Sequence, residues 1–383
     1  MMYDFDNIVD RRKHASVKWD VKSNELPMWI ADMDFHVLPE IKEAILNRAN
    51  VDAYGYTYVP EKYFDSYVYW AKLRHNLSLK REWLLYSESV VASIDSIFKH
   101  LGKAGDEVVM LTPTYNIFYN CIRNNGLIVS ECELQYENFH YSIDYNNLEK
   151  LLSRSKASFL LFCNPHNPIG KIYSCEEIRK IFSIAKRHNV LIISDEIHCD
   201  ITDPGISYNP ALSACPIYID SIITLVSPTK AFNLAGLQSS ALIIPNKEIR
   251  EKVQDGLYKD DVGEPNYFAV DAAIAAFMHG EQWNKQLREY LFKNKRYFID
   301  FINKELPNLH VIEGQATYLL WVDISYYSSD SVSFIKKLRN KTGLYLADGL
   351  AYGRGGKTFV RINIATSLQN VKECCQRLKN YLK

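Results

Sequence analysis

No part of this 383-residue chain approaches the roughly 20 uninterrupted apolar residues that a membrane helix needs. The opening MMYDFDNIVDRRKH also lacks the apolar stretch of a signal peptide, so a soluble, cytoplasmic protein without membrane contact is expected. Net charge is missing too: 45 Lys and Arg offset 45 Asp and Glu. With no long-range field of either sign, binding to nucleic acid or to an acidic membrane surface is disfavoured, and small-molecule work fits better. Eight cysteines (Cys121, Cys132, Cys163, Cys175, Cys199, Cys215, Cys374 and Cys375) form no C-x-x-C pair and no clustered framework. Reduced thiols acting as small hydrophobes are expected. No internal repeat or low-complexity linker is visible. What the chain has is apolar matter, 47% hydrophobic and 13% aromatic, enough for a large core.

The first fifty residues, including LPMWIADMDFHVLPEI (26–41), show no sustained period and read as an irregular arm leading into a helix near Glu40 to Arg48. Short apolar runs then alternate with helical patterns: DEVVMLTP (106–113), ASFLLFCNP (157–165), VLIISDEI (190–197), SIITLVSP (221–228) and SALIIPN (240–246). Such alternation predicts a mostly parallel sheet covered by helices on both faces. Ser174-Cys175-Glu176-Glu177 has the form of a capping box, followed at helical spacing by Ile178, Ile181, Phe182 and Ala185. That helix is expected to join strands ending at Cys163 and Asp195. A long charged helix over 283–305 is read as the hinge into a smaller α+β domain, with strands at TYLLWVDI (317–324) and TFVRINIA (358–365) and helices from Ser331 and up to Leu382. The expected division is an arm at 1–48 that packs with the small domain, a large domain at 49–282 and the small domain at 283–383.

In open α/β sheets ligands bind beyond the carboxyl ends of the strands, so polar residues just after apolar runs are the first candidates. Three such ends stand out: Asn164-Pro165-His166-Asn167-Pro168-Ile169-Gly170, Ser194-Asp195-Glu196-Ile197-His198 and Ser227-Pro228-Thr229-Lys230. Lys230 stands at a strand end and not on a charged helix face, where desolvation would lower its pKa and make it a nucleophile or Schiff-base former. By itself it reads more readily as an ordinary surface lysine. Asp195 follows an apolar run, which suggests a carboxylate at the edge of a core in need of a cationic partner. Taken alone, it also fits a cap on the next turn.

In combination, NPHNPIG, SDEIH, SPTK and FVRINIA occur in an order that resembles the fold-type I pyridoxal phosphate enzymes, the aspartate aminotransferase superfamily, over nearly the whole chain. Within it the chain is similar to the cystathionine β-lyase branch, on KWD (18–20), PMWIADMDF (27–35), YGYT (54–57), DEIHCD (195–200), the run from Lys230 to Gln238 and ATYLLWVD (316–323). The resemblance implies a large α/β domain with a sheet of the seven-stranded type, a smaller α+β domain, pyridoxal 5'-phosphate as cofactor, and no metal. It implies that Lys230 carries the cofactor as a Schiff base and later moves the Cα proton, while Asp195 pairs with the pyridine nitrogen. Asn167 would bond the phenolic oxygen, His198 stands where many aminotransferases have a tyrosine for that oxygen, and Tyr115 would stack on the ring with Ile197 nearby. The phosphate would take backbone donors around Ser89 to Ser93, with Val90 and Val91 at the helix start, the Ser227 hydroxyl, and Tyr56 from a neighbouring subunit. Many aminotransferases have an arginine for the phosphate eight residues after the lysine, where this chain has Gln238. Arg361 resembles the arginine that grips the substrate carboxylate, since its fork suits bidentate binding. Trp29, Ala31 and Asp32 would wall the substrate pocket, together with Asn167 and Tyr56.

These roles imply removal of the Cα proton and then one of two outcomes, elimination of a thiolate from Cβ or transamination, and no single side chain dictates the choice. The branch resemblance favours a carbon–sulfur β-lyase of methionine-related amino-acid metabolism, acting on cystathionine or cysteine conjugates, with a class I/II aminotransferase as the alternative. It also implies a homodimer with shared active sites, and family analogy suggests contact with a transcription regulator. Gly355-Gly356-Lys357-Thr358 ends like a phosphate-binding loop, but Ala351 occupies its first glycine position. A metal hydrolase drawn from Asp195, Glu196, His198, Cys199 and Asp200 lacks supporting ligand spacing.

Overall fold

The computed structural model describes residues 2–383. Seven strands form its central sheet: β1 (Leu84–Ser87), β2 (Glu107–Thr112), β3 (Ile128–Glu133), β4 (Ala157–Cys163), β5 (Leu191–Asp195), β6 (Ile222–Val226) and β7 (Ser240–Ile243). They lie in the order β1-β7-β6-β5-β4-β2-β3. All neighbours run parallel except β7, which is antiparallel to both β1 and β6. Side-chain alternation explains why both faces need cover. Leu160 and Phe162 of β4 point into one apolar cluster, and Phe159, Leu161 and Cys163 into another on the opposite face.

The helix after β4 shows how local sequence positions these layers. Ser174 accepts from the Glu177 N–H at 3.1 Å and Glu177 returns a carboxylate to the Ser174 N–H at 2.8 Å, so the capping box is complete. The helix then runs Cys175–Arg187 with Ile178, Ile181, Phe182, Ile184 and Ala185 buried, and delivers the chain to β5 alongside β4. Strands β1 and β3, absent from the sequence expectation, are the two edges of the sheet. In β3 only Ser130 and Cys132 are buried, so its apolar signal is weak.

A second sheet is antiparallel and joins β8 (His310–Ile312), β9 (Leu319–Asp323), β10 (Ala347–Asp348) and β11 (Phe359–Asn363) in the order β8-β9-β11-β10. The 25-residue helix Glu281–Glu305 precedes it, starting two residues earlier than the charged pattern suggested, directly after Gly280. Helices Ser331–Thr342 and Leu368–Leu382 complete this part. Register places Arg361 between Trp321 and Ala347. The N-terminal segment is pinned to it: Leu26 and Pro27 pair with Leu344 and Tyr345, and the Asp34 N–H donates to Ala365. The Gly355-Gly356-Lys357 turn precedes β11, whereas a phosphate-binding loop follows its strand. No helix among the described residues is long and apolar enough to cross a membrane.

Candidate active site

Parallel pairing aligns the carboxyl ends of the middle strands, with Cys163 beside Asp195 and Asp195 beside Leu225. A cavity opens there. It is lined by Ala31, Val90, Val91, Tyr115, Asn167, Asp195, Ile197, His198 and Lys230 among the residues singled out from sequence. Helix Val90–Leu101 points its start at this cavity, and Ser89 caps it by accepting from the Ala92 N–H at 3.0 Å. A helix start with free N–H groups attracts an anion.

Electrostatically the cavity is under-paired. Asp195 is buried, its carboxylate accepts one backbone N–H, from Ile197 at 3.1 Å, and among the described residues no ion pair reaches it. Burial pushes its pKa up to about 7, with Lys230 opposing the shift. Lys230 donates to the Ala31 carbonyl at 2.7 Å, and loss of hydration together with the nearby Arg361 charge brings its amine down to about 8. His198 is driven down to about 3 by burial first and by the Lys230 and Arg361 charges second, so it is neutral at pH 7. Its Nδ1 is buried without a partner. Tyr115 meets Phe118 edge-on at 5.4 Å, and burial raises its hydroxyl to about 12.

Arg361 stands behind the cavity lining. It donates to Asn167 Oδ1 at 3.2 Å and to the Trp29 carbonyl at 2.9 Å, lies 4.8 Å from the Tyr352 ring centre, and leaves Nε buried without a partner. No carboxylate among the described residues forms an ion pair with it, so it is not a structural salt-bridge arginine. A buried guanidinium with spare donors needs an anion.

Four further candidates lie outside the cavity lining within this chain, the first being Trp29, whose ring stacks on Tyr345 at 5.0 Å. Asp32 is engaged by Arg11 at 2.9 Å and by Lys18 at 3.8 Å. The Ser227 hydroxyl donates to the Ser239 carbonyl at 2.6 Å and contacts Thr229 Oγ1 at 2.7 Å, while Thr229 itself faces the cavity. Tyr56 is fully exposed on a segment that also exposes Tyr54 and Tyr58. Sequence reasoning passed over Thr229, Glu88, Cys163 and Ala235, all of which line the cavity. Thr229 was within reach, lying directly between two singled-out residues. Of the metal-hydrolase group only Cys199 and Asp200 lie together, beside His75, while Glu196 bonds Ser194, Tyr208 and the Ala211 N–H, and His198 alone of the set turns to the cavity with Asp195.

A family model described as aminotransferase class I and II matches residues 26–378. The chain belongs to that family. Among curated relatives, the chain is 34% identical over 382 residues to the cystathionine beta-lyase PatB of Bacillus subtilis, covering 98% of each. Among solved structures of the same fold, a pyridoxal-phosphate-bound putative aminotransferase from Clostridium difficile superposes with a TM-score of 0.96 at 35% identity, covering 100% of both chains. Cystalysin from Treponema denticola, which contains a pyridoxal 5'-phosphate cofactor, gives 0.96 at 30% identity over 100% and 99% of the two chains. The α/β architecture expected from sequence, with its large mostly parallel sheet and helices, is the architecture of these solved structures.

Proposed function

We propose that this chain is a pyridoxal phosphate-dependent carbon–sulfur β-lyase that converts L-cystathionine or related cysteine S-conjugates, with water, to a thiol, pyruvate and ammonia. The observation that carries the reading is the buried, unpaired Asp195 sharing one cavity with the depressed amine of Lys230. That donor set fits the cofactor. Lys230 would hold it covalently, Asp195 would supply the counter-charge for a pyridinium nitrogen, and the helix start at Val90 and Val91 with Thr229 would take the phosphate. Asn167 and His198 would reach the ring oxygen, and Tyr115 would cover the ring face. Bound there, the cofactor supplies an electron sink for the pair left on Cα when its proton departs.

The protein's own residues set up that departure. Arg361 turns its free donors to the substrate carboxylate and fixes which Cα bond faces Lys230. The lysine amine, once free, takes the Cα proton, and an amine near pH 8 is basic enough at neutral pH while still able to give the proton back. Asp195, given a cationic partner in this low-dielectric site, would be held ionised. The carbon–sulfur bond breaks as the thiolate leaves with its electron pair, and the similarity to PatB and cystalysin supports this route. Transamination uses the same lysine, aspartate and arginine, and similarity to a putative aminotransferase supports it as the second reading.

The deciding experiment is incubation with L-cystathionine in the absence of any 2-oxo acid, measuring pyruvate and ammonia. Release of both supports the lyase; product only when a 2-oxo acid is added establishes the transaminase instead. As part of the same reading we propose the division at 48/49 and 282/283, a cytoplasmic homodimer in which the exposed Tyr56 reaches the cavity of a second copy, and contact with a transcription regulator as a separate activity.

A further inference from the structure

An irregular segment, Trp29 to Met33, runs between the cavity and the small sheet, and all five of its backbone carbonyls are taken by side chains of other elements. The Trp29 carbonyl accepts from Arg361 Nη2 at 2.9 Å, and the Ala31 carbonyl from Lys230 Nζ at 2.7 Å and the Tyr318 hydroxyl at 3.3 Å. Those of Ile30 and Asp32 both accept from the single Asn363 amide, at 2.7 and 2.6 Å. The Met33 carbonyl accepts from Asn233 Nδ2 at 3.0 Å, and Asn233 Oδ1 takes the Met33 N–H at 3.0 Å in return.

Apart from the Tyr318 hydroxyl, these partners are of two kinds. Arg361 and Lys230 have other work: the guanidinium must open to a substrate carboxylate, and the amine must leave its carbonyl to bond the cofactor. Asn233 and Asn363 carry no charge and have no such second partner, so they keep their grip while the other two let go. Their places in the chain are informative. Asn233 lies three residues after Lys230 in the same turn, and Asn363 lies two residues after Arg361, on the same face of β11. Each amide ties the strap to the element that carries a reactive group.

We propose that Asn233 and Asn363 are positioning residues. They fix the strap so that the Trp29 carbonyl aims Arg361 at the substrate carboxylate and the Ala31 carbonyl receives the Lys230 amine whenever it is free. The role rests on the reading of Arg361 and Lys230 given above, and it adds that their aim is set by backbone oxygens held from behind. Without the amides, the Asp32 and Met33 carbonyls would lose their partners, the Ile30 carbonyl would keep only the Asp32 N–H, and the guanidinium would be held at one donor by Asn167 alone.

The test uses cofactor-loaded protein and follows the cofactor's absorbance during titration with L-alanine and with ethylamine, which differ only by the carboxylate. Asn233→Gly removes one amide without backbone strain, because Asn233 sits at φ 59°, a conformation glycine adopts freely. Asn363→Ala removes the other. Each variant is expected to weaken L-alanine about tenfold, equivalent to ~1.4 kcal/mol, and ethylamine by no more than about twofold. Equal losses for both ligands, or none for either, would overturn the proposal, since a merely structural role does not distinguish a carboxylate. Should Asn363→Ala fail to fold, Asn233→Gly alone decides. The comparison needs a bound cofactor and an amine but no turnover, so a parent protein that leaves cystathionine intact would end the lyase reading and not this one.

Discussion

Arg361→Lys is the sharpest single perturbation, because it keeps the charge and removes only the fork. In the structure Nη1 and Nη2 already have acceptors in Asn167 and the Trp29 carbonyl, Nε is buried and unpartnered, and no carboxylate pairs with the group. A substrate carboxylate would gain two parallel charge-assisted bonds, each worth about 1.5–3 kcal/mol. A lysine ammonium reaches the same place as a point charge and keeps roughly one of them. The net loss is therefore about 2 kcal/mol, or about thirtyfold in kcat/KM for L-cystathionine by the tenfold-per-1.4 kcal/mol conversion. Pyruvate release over a range of substrate concentrations measures it, and KM should carry most of the change. Cofactor affinity and the thermal midpoint should stay near the parent values, because no cofactor donor has been touched. A change below about threefold, or a loss in cofactor affinity of the same size as the loss in kcat/KM, would refute the assignment of Arg361 to the substrate carboxylate.

Three further outcomes follow from the same geometry. In cofactor-free protein the Asp195 contribution to stability should fall as pH rises, against the opposite contribution of the depressed His198: the folded-state pKa of Asp195 is raised from 3.8 to about 7, so its contribution is fully present below the unfolded value and is lost as pH passes through 7. Asp195→Asn should flatten part of that slope between pH 4 and 7 in thermal melts, leaving the share due to Glu196, whose pKa also rises to about 7, and a slope unchanged in Asp195→Asn would contradict the burial argument. Lys230→Ala and Tyr56→Phe are each expected to be impaired, yet mixing the two after reversible dissociation should restore activity to some cavities if Tyr56 serves a second copy; no recovery beyond the sum of the parts would exclude sharing. Ser174→Ala removes the hydroxyl that accepts the Glu177 N–H, leaves the Ser174 N–H to the Glu177 carboxylate, and should cost about 1 kcal/mol, seen as a fall of about 1–2 °C in the melting midpoint with kcat unchanged.

What could be read from the sequence was whatever repeats a local rule. The inner strands β2, β4, β5 and β6 carry long apolar runs because both their faces are covered, and the Ser174 helix announces its start by side chains alone. Edge strand β3, with few buried positions, has little to announce. The antiparallel direction of β7 is also silent in composition, since its four buried residues would read the same in either sense. Among site residues, Asp195 and Lys230 were legible because a charged group directly after an apolar run is costly unless something uses it. Asp32 was expected at the pocket wall. Its carboxylate is spent on Arg11, and what its neighbourhood gives the site is backbone oxygen.

That last point bears on how the two halves of the molecule are coupled. The residue that would hold the cofactor comes from the turn after β6 and the residue that would hold the substrate carboxylate from β11, in two separate sheets. Between them lie the carbonyls of Trp29 and Ala31, two residues apart, one accepting from the arginine and one from the lysine, and on the positioning role proposed above these would set the distance at which the two face each other. A carbonyl is common to every residue type, so its role cannot be seen in a sequence. The side chains that hold it in place can be, and Asn233 and Asn363 are the visible trace of an otherwise unwritten constraint. If the strap sets that spacing, then substitutions at residues 30–33 that preserve the backbone path should be tolerated better than conservative changes at either asparagine, although the strap lies nearer to the cavity.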